Sequence, residues 1–251
     1  MTTEEELYNA ALALPEDFRR KLRDYFNRSS GSIDWKLPEF TKFVPRQALS
    51  RFLLKADMFR QILGIQGSIV ECGVFGGSGL MTWAQLSAIF EPLNHQRKVI
   101  GFDTFSGFVG VSPEDMTGNM DWTYTGALAV DSYEDLLECI RIYDSNRFLG
   151  SMPKVSLVKG DMSETVPLYL EEHPATVISL IYLDVDLYEP TKVALEYFVP
   201  RMPRGAIIVF DQLNSDGYPG ETIAVLNTIG VHDLRIQRFS YDTKISYAVL
   251  E

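Results

Sequence analysis

The chain has 251 residues, 46% of them hydrophobic and 23% charged, a globular balance that excludes intrinsic disorder. Apolar runs such as Val177 to Leu183 fall far short of the roughly 20 residues a membrane-spanning helix needs. With 34 acidic and 23 basic residues the net charge is −11, which argues against nucleic acid as a partner. The densest basic cluster, Arg19, Arg20, Lys21 and Arg23, is interleaved with acids and reads as a solvated helix face.

Residues 1–30 predict two short helices separated near Pro15, with apolar positions Leu7, Ala11 and Leu14, then Phe18, Leu22 and Phe26. Met1 is followed by Thr-Thr-Glu-Glu-Glu, the reverse of a secretory leader's basic start. Cys72 and Cys139 match no metal spacing and read as free thiols in a reducing compartment. A cytoplasmic location is expected. Ser-Ser-Gly-Ser at 29–32 reads as a turn or linker. The amphipathic segments at 3–27 either offer an interface between copies, from which a homo-oligomer is expected, or simply cover one edge of the domain. Pro45 to Leu63 predicts a longer helix with Leu49, Phe52, Leu53, Ala56, Phe59 and Leu63 on one stripe. The chain thus divides into an N-terminal helical extension over 1–40 and one larger domain over 41–251.

From residue 68 onward, apolar runs at 68–73, 98–102, 154–158, 177–183 and 206–210 alternate with helical segments near 78–90, 132–142, 163–171, 190–199 and 221–229. This alternation predicts an α/β fold with a doubly wound, mostly parallel sheet. Leu234–Phe239 and Ile245–Leu250, joined by Ser240-Tyr241-Asp242-Thr243, predict a C-terminal antiparallel hairpin that brings the sheet to seven strands.

Ligands of such sheets bind beyond the carboxyl ends of the strands, near the topological switch point. The first run leads into Glu71-Cys-Gly73-Val-Phe-Gly-Gly-Ser78-Gly, a turn rich in glycine whose backbone can approach a ligand closely. It matches neither the dinucleotide fingerprint nor the P-loop. The second run ends at Asp103, where an acid accepts hydrogen bonds from ribose hydroxyls in doubly wound folds. The third ends at Asp161 with Ser163 close behind; Asp161 either receives an adenine amino group or caps the following helix.

Leu183-Asp184-Val-Asp186 and Phe210-Asp211-Gln212-Leu-Asn214 close the fourth and fifth runs. On adjacent parallel strands these carboxylates converge, and they repel one another unless a proton or cation is shared. Hard oxygen donors without nearby Cys or His point to Mg²⁺. Asp186 is either part of this cluster or a cap for the helix opening near Pro190. His95, His173 and His232 fall in loops and read as surface residues. Residues 104–131, with Phe105, Phe108, Trp122 and Tyr124 among glycines, form a long connection that reads as a substrate lid or as a satellite apolar cluster.

The glycine turn, Phe-Asp-Thr-Phe-Ser-Gly-Phe at 102–108 and Leu-Asp-Val-Asp-Leu-Tyr-Glu-Pro-Thr at 183–191 together resemble the macrocin O-methyltransferase family from about Thr41 to the end. The resemblance implies a Rossmann-like class I methyltransferase domain. It also implies transfer of a methyl group from S-adenosylmethionine to a hydroxyl of a deoxysugar, either a nucleotide sugar such as a dTDP-sugar or a sugar on a natural product. Glu71, Gly73 and Ser78 would line the methionine end, with Thr41 reaching in from the N-terminal side. Asp103 would hold the ribose, and Asp161 and Ser163 the adenine end. Asp184, Asp211 and Gln212 would ligate Mg²⁺. Beside that cation Asp184 is also the candidate base for the hydroxyl proton, and Phe108, Trp122 and Tyr124 are the candidate lid residues. The family usually has a second Asp where this chain has Gln212, so one anionic ligand is missing. Competing readings are a catechol or phenol acceptor, and a non-catalytic binding protein that keeps the fold.

Overall fold

A computed structural model describes residues 14–251. The first expected N-terminal helix, with Leu7 and Ala11, lies outside the described residues. The chain divides into two compact units, one up to Leu53 and one from Leu54 onward, whereas the sequence placed the boundary at 40/41.

In the first unit, helix α1 (Glu16–Arg28) carries Glu16 and Asp17 in its first turn and Arg28 in its last, matching the helix dipole at both ends. Asp17 pairs with Arg20 and Lys21 on the solvent side. A one-turn helix α2 (Ile33–Lys36) follows. Lys36 donates to the Phe26 carbonyl, and Phe43 packs edge-on against the Phe26 ring at 5.0 Å. Helix α3 (Arg46–Gln61) begins in this unit and buries Leu54, Ala56, Met58 and Phe59 in the second.

The second unit is a seven-stranded sheet in the order β3-β2-β1-β4-β5-β7-β6. β1 (Ser68–Cys72), β2 (Val99–Asp103), β3 (Val155–Lys159), β4 (Ile178–Leu183) and β5 (Ile207–Phe210) run parallel. β7 (Asp242–Val249) pairs antiparallel with β5 and with β6 (Gln237–Phe239). The hairpin is tighter than expected, because pairing through Asp242 leaves only Ser240 and Tyr241 in the turn.

Alternation along each buried strand divides the core in two. Ile69, Leu180, Tyr182, Ile207 and Val209 face α3, α4 (Ser78–Phe90) and α5 (Tyr133–Ser145), meeting Phe59, Leu80, Trp83 and Leu136. Val70, Ile181, Leu183, Ile208 and Phe210 face α6 (Met162–Glu172), α7 (Tyr188–Phe198) and α8 (Pro219–Asn227), meeting Val166, Phe198 and Val225. The switch point lies between β1 and β4, where the sheet order reverses. Among the described residues no helix is long and apolar enough to cross a membrane.

Arg97, 3% exposed, ties the opposite edge of the sheet together. Its Nε donates to Glu91. One terminal nitrogen donates to the Gly67 carbonyl and the Ser179 hydroxyl, the other to the Ile62 and Ile65 carbonyls. All five donors of the planar fork are satisfied, which a lysine could not reproduce. Arg97→Met should cost about 3–5 kcal/mol of unfolding free energy, because Glu91 and the carbonyls lose a buried charged donor. Denaturant titration reads this; a loss below about 1 kcal/mol would show the pairing to be dispensable.

Candidate active site

The ends of β1, β2 and β3 carry most of the residues expected to hold the cofactor. Gly73 follows β1 with φ +86°, and a Cβ there would lie 1.9 Å from the Asp184 carbonyl oxygen; only glycine lets β1 and β4 run this close. The Asp103 carboxylate, at the end of β2, accepts from the backbone N–H groups of Val74 and Phe75 at 2.7 and 2.8 Å and from Phe105 at 2.7 Å. It therefore holds the glycine turn in shape. An ionised carboxylate has about four acceptor positions, so three bonds leave one for a ligand hydroxyl.

Glu71 is 3% exposed, and its Oε2 accepts from Trp83 Nε1 at 2.6 Å and Lys55 Nζ at 3.2 Å. The Lys55 ammonium also lies 3.4 Å from the Tyr182 ring centroid. Burial raises the Glu71 carboxyl above its ordinary pKa, while Lys55 opposes this. Glu71 thus belongs to a buried ion pair beneath α4, a partnership that spacing did not reveal. Ser78 is exposed at the first position of α4. That helix begins at Gly77 without a side-chain cap, leaving its first N–H groups available to an anionic ligand group.

Asp161 caps α6, accepting from the Ser163 backbone N–H at 2.9 Å. The cap reading of Asp161 is therefore realised, and the exposed Ser163 hydroxyl lies at the same strand end. Thr41 lies in a short turn, Phe40–Lys42, of the N-terminal unit.

The 104–131 connection is organised rather than structureless. Phe108 exchanges backbone hydrogen bonds with Gly126 and Ala127, which closes the loop at its base. Asp115, 2% exposed, accepts from the Ser112 and Tyr188 backbone N–H groups at 2.9 and 2.8 Å. It lies so close to Gly220 that a Cβ there would meet its Oδ1 at 1.9 Å. Asp115, which the sequence did not single out, thus bonds the first N–H of α7. Asp186 is not that cap: helix α7 has Leu187 at its N-cap, with no side-chain bond. Phe108 and Trp122 are half-buried and Tyr124 is exposed.

The acids at the ends of β4 and β5 do converge. Asp186 sits in the left-handed region at φ +60°, a conformation Asp tolerates better than most residues. The Gln212 side-chain amide donates to Asp186 Oδ1 at 2.7 Å and to Asp211 Oδ2 at 3.2 Å. Asp211 also receives the Tyr182 hydroxyl at 3.2 Å and Lys244 Nζ at 2.6 Å. Glu221 of α8, fully buried, accepts from the Gln212 backbone N–H at 2.8 Å, and its other oxygen has no partner. Asp184 is half-buried, and its N–H donates to the Cys72 carbonyl.

This donor set does not fit the Mg²⁺ expected from the sequence. Gln212 presents its N–H₂ to the carboxylates instead of an oxygen to a cation, and an ammonium occupies the Asp211 oxygen that a metal would need. Among the described residues, no three His, Cys, Asp or Glu side chains form a group that could hold a metal ion.

Burial pushes the Asp186 carboxyl up to about 6, with Asp211 adding to the shift and Lys244 and Gln212 opposing it. Burial likewise pushes Glu221 well above the usual carboxylate range, aided by Asp211, Asp186 and Asp184. Neither Lys244 nor Glu221 stood out in the sequence. Each comes from an element far along the chain, and only the strand order brings them together.

The sheet order, the glycine turn at the switch point and the acidic strand ends define the class I methyltransferase fold. The family model for macrocin-O-methyltransferase (TylF) matches residues 16–223. The chain is similar to the calicheamicin methyltransferase CalS11, at 34% identity over 93% of this chain and 91% of that one, with a TM-score of 0.88. The apo structure of CalS11, described as a TDP-rhamnose 3'-O-methyltransferase, is 32% identical, with 93% of both chains covered and a TM-score of 0.80. The O-methyltransferase NovP, 19% identical over 80% of this chain and 79% of that one with a TM-score of 0.58, shares the fold. A curated relative from Streptomyces olivaceus, 8-demethyl-8-(2,3-dimethoxy-alpha-L-rhamnosyl)-tetracenomycin-C 4'-O-methyltransferase, is 30% identical over 157 residues, 61% of this chain and 55% of the relative. The chain spans about half the length of that relative. It belongs to the macrocin-O-methyltransferase family, a family of O-methyltransferases.

Asp186 and Glu221 bind protons more tightly in the folded than in the unfolded chain. Their contribution is therefore most favourable below the unfolded pKa values and is lost as pH rises toward the folded ones. Replacing Glu221 by Gln should make the fall in unfolding free energy between about pH 5 and pH 8 shallower by up to about 1.4 kcal/mol per pH unit. Urea titrations across that range read the slope, and equal slopes would mean that Glu221 ionises as an ordinary carboxylate.

Proposed function

We propose that this protein transfers the methyl group of S-adenosylmethionine to a hydroxyl of a deoxysugar, carried either on a nucleotide or on a natural product. The observation that carries this reading is the family match across residues 16–223. The named acceptors of the similar proteins support it: a TDP-rhamnose in one and a rhamnosylated tetracenomycin in the other.

The residues at the β1 and β2 ends suit the cofactor. The uncapped start of α4 offers N–H groups to its carboxylate, and the remaining acceptor position of Asp103 suits a ribose hydroxyl. When bound, the cofactor supplies an electrophilic methyl on a sulfonium. Asp161 and Ser163 border the adenine end. Phe108, Trp122 and Tyr124 cover the sugar from the 104–131 loop, where aromatic faces exclude water. Asp184 receives the hydroxyl proton as the sugar oxygen attacks. Within the cluster at the ends of β4 and β5 it is the half-buried acid, whereas Asp186, Asp211 and Glu221 are buried. A positioned base of this kind contributes about 10²–10⁴-fold.

Asp184→Asn should therefore lower kcat by about two to four orders of magnitude while calorimetry shows nearly unchanged S-adenosylmethionine affinity. Asp103→Ala should do the reverse, weakening cofactor binding at least about tenfold by removing both the ribose acceptor and the clamp on the turn. Both are read with a methylation assay on dTDP-deoxysugars run beside catechols. Methylation of catechols alone would overturn the sugar assignment, and binding without turnover of any acceptor would overturn catalysis.

A further inference from the structure

The acid cluster at the ends of β4 and β5 has a built-in cation. Lys244, near the start of β7, reaches across to Asp211 at 2.6 Å. Asp211 is 2% exposed, whereas the lysine side chain is 51% exposed. The antiparallel register explains the reach: Phe210 pairs with Ser246, so Lys244 runs alongside the residues that follow β5. Gln212 completes the arrangement with its amide, which bridges Asp186 and Asp211 at 2.7 and 3.2 Å. Tyr182 donates to the remaining Asp211 oxygen. Both Asp211 oxygens that a hard cation would need are thus taken by an ammonium, an amide N–H₂ and a phenol, and the same amide takes one Asp186 oxygen.

From this donor set, we propose that Lys244, positioned by Asp211 and supported by Gln212, replaces a divalent cation in this chain. The inference rests on the sugar methyltransferase reading for its chemistry, but its structural half stands without it. Held on Asp211, the ammonium is a fixed positive charge beside the acceptor hydroxyl and favours its ionisation. The sugar oxygen then forms its bond to the methyl carbon as the carbon–sulfur bond breaks. The sulfonium becomes a neutral thioether, and the hydroxyl proton passes to the Asp184 carboxylate. Charge is conserved, since one cation and one carboxylate are consumed together. A Mg²⁺ ion on Asp211 would have to displace the ammonium, because it needs oxygen donors about 2.0–2.1 Å away and the two cations repel.

Mn²⁺ binding followed by electron paramagnetic resonance separates the alternatives without any substrate. The wild type should show no stoichiometric Mn²⁺ site, and Gln212→Asp combined with Lys244→Met should create one. If the double variant fails to fold by thermal melting, Lys244→Met alone serves, with tighter Mn²⁺ binding than the wild type expected. Turnover of the wild type should survive exhaustive chelation, fall at least tenfold in Lys244→Met and recover in part in Lys244→Arg. Stoichiometric Mn²⁺ binding by the wild type, or activity lost on chelation and restored by Mg²⁺, would overturn the proposal. Full activity in Lys244→Met would do the same. A wild type that methylates no sugar would instead overturn the function assignment, while the Mn²⁺ titration would still decide whether the lysine keeps metal out.

Discussion

The close approach of β1 to β4 is the constraint on which the site depends. Cys72 pairs with Leu183, the Asp184 N–H bonds the Cys72 carbonyl, and Gly73 has no side chain to hold the Asp184 carbonyl away. A methyl group at position 73 would overlap that oxygen, and the neighbouring strands leave no room for it to move. Because β1 carries the glycine turn and β4 the first acids, this one junction puts the glycine turn and the acid cluster at a single edge of the sheet. Asp103 then fixes the turn from β2, as Arg97 fixes the far edge through Gly67 and Ser179. The sheet is thus secured by charged hydrogen bonds at both ends and by apolar packing between them.

Buried charge is treated differently on the two sides of that junction. Glu71 is matched by Lys55 within the core, and the pair is shielded by Trp83 and Tyr182. Separating such a pair would strand a charge in a low-dielectric setting, so it fixes the geometry more than it adds stability. At the other side the carboxylates outnumber their cation. Asp186, Asp211 and Glu221 share Lys244 and the Gln212 donors, and burial, reinforced by the neighbouring carboxylates, raises the proton affinity of Asp186 and Glu221. Selection for stability alone would favour apolar residues there. A cluster retained at this cost agrees with a chemical role.

Features that depend on local pattern were legible in the sequence. The alternation of apolar runs with helical stripes located the five parallel strands, and the turn after Cys72 marked the switch point. What spacing could not supply were partners contributed by distant segments. Asp103 was read as a ribose acceptor, but it also accepts from Val74 and Phe75, one strand away, which spacing did not reveal. Glu71 was read as lining the cofactor, yet Lys55 from α3 and Trp83 from α4 occupy its Oε2. The Mg²⁺ reading counted acids at the strand ends and could not weigh Lys244, because a residue in the final hairpin meets Asp211 only when β7 pairs with β5 rather than standing apart.

The same dependence on strand order links the 104–131 loop to the acid cluster. Asp115 leaves the 104–131 segment to bond the Tyr188 N–H, and its carboxylate fills the space that a side chain at Gly220 would need. Tyr188 follows Asp186 by two residues, and Gly220 immediately precedes Glu221. The loop is therefore fastened to the two helix starts that carry half of the acid cluster. Since Asp115 is nearly fully buried, releasing it would expose a charged group's unsatisfied partners and cost more than moving a free loop tip. The 104–131 loop is consequently tied through Asp115 to the first N–H of α7, two residues beyond Asp186, which is held in the left-handed conformation.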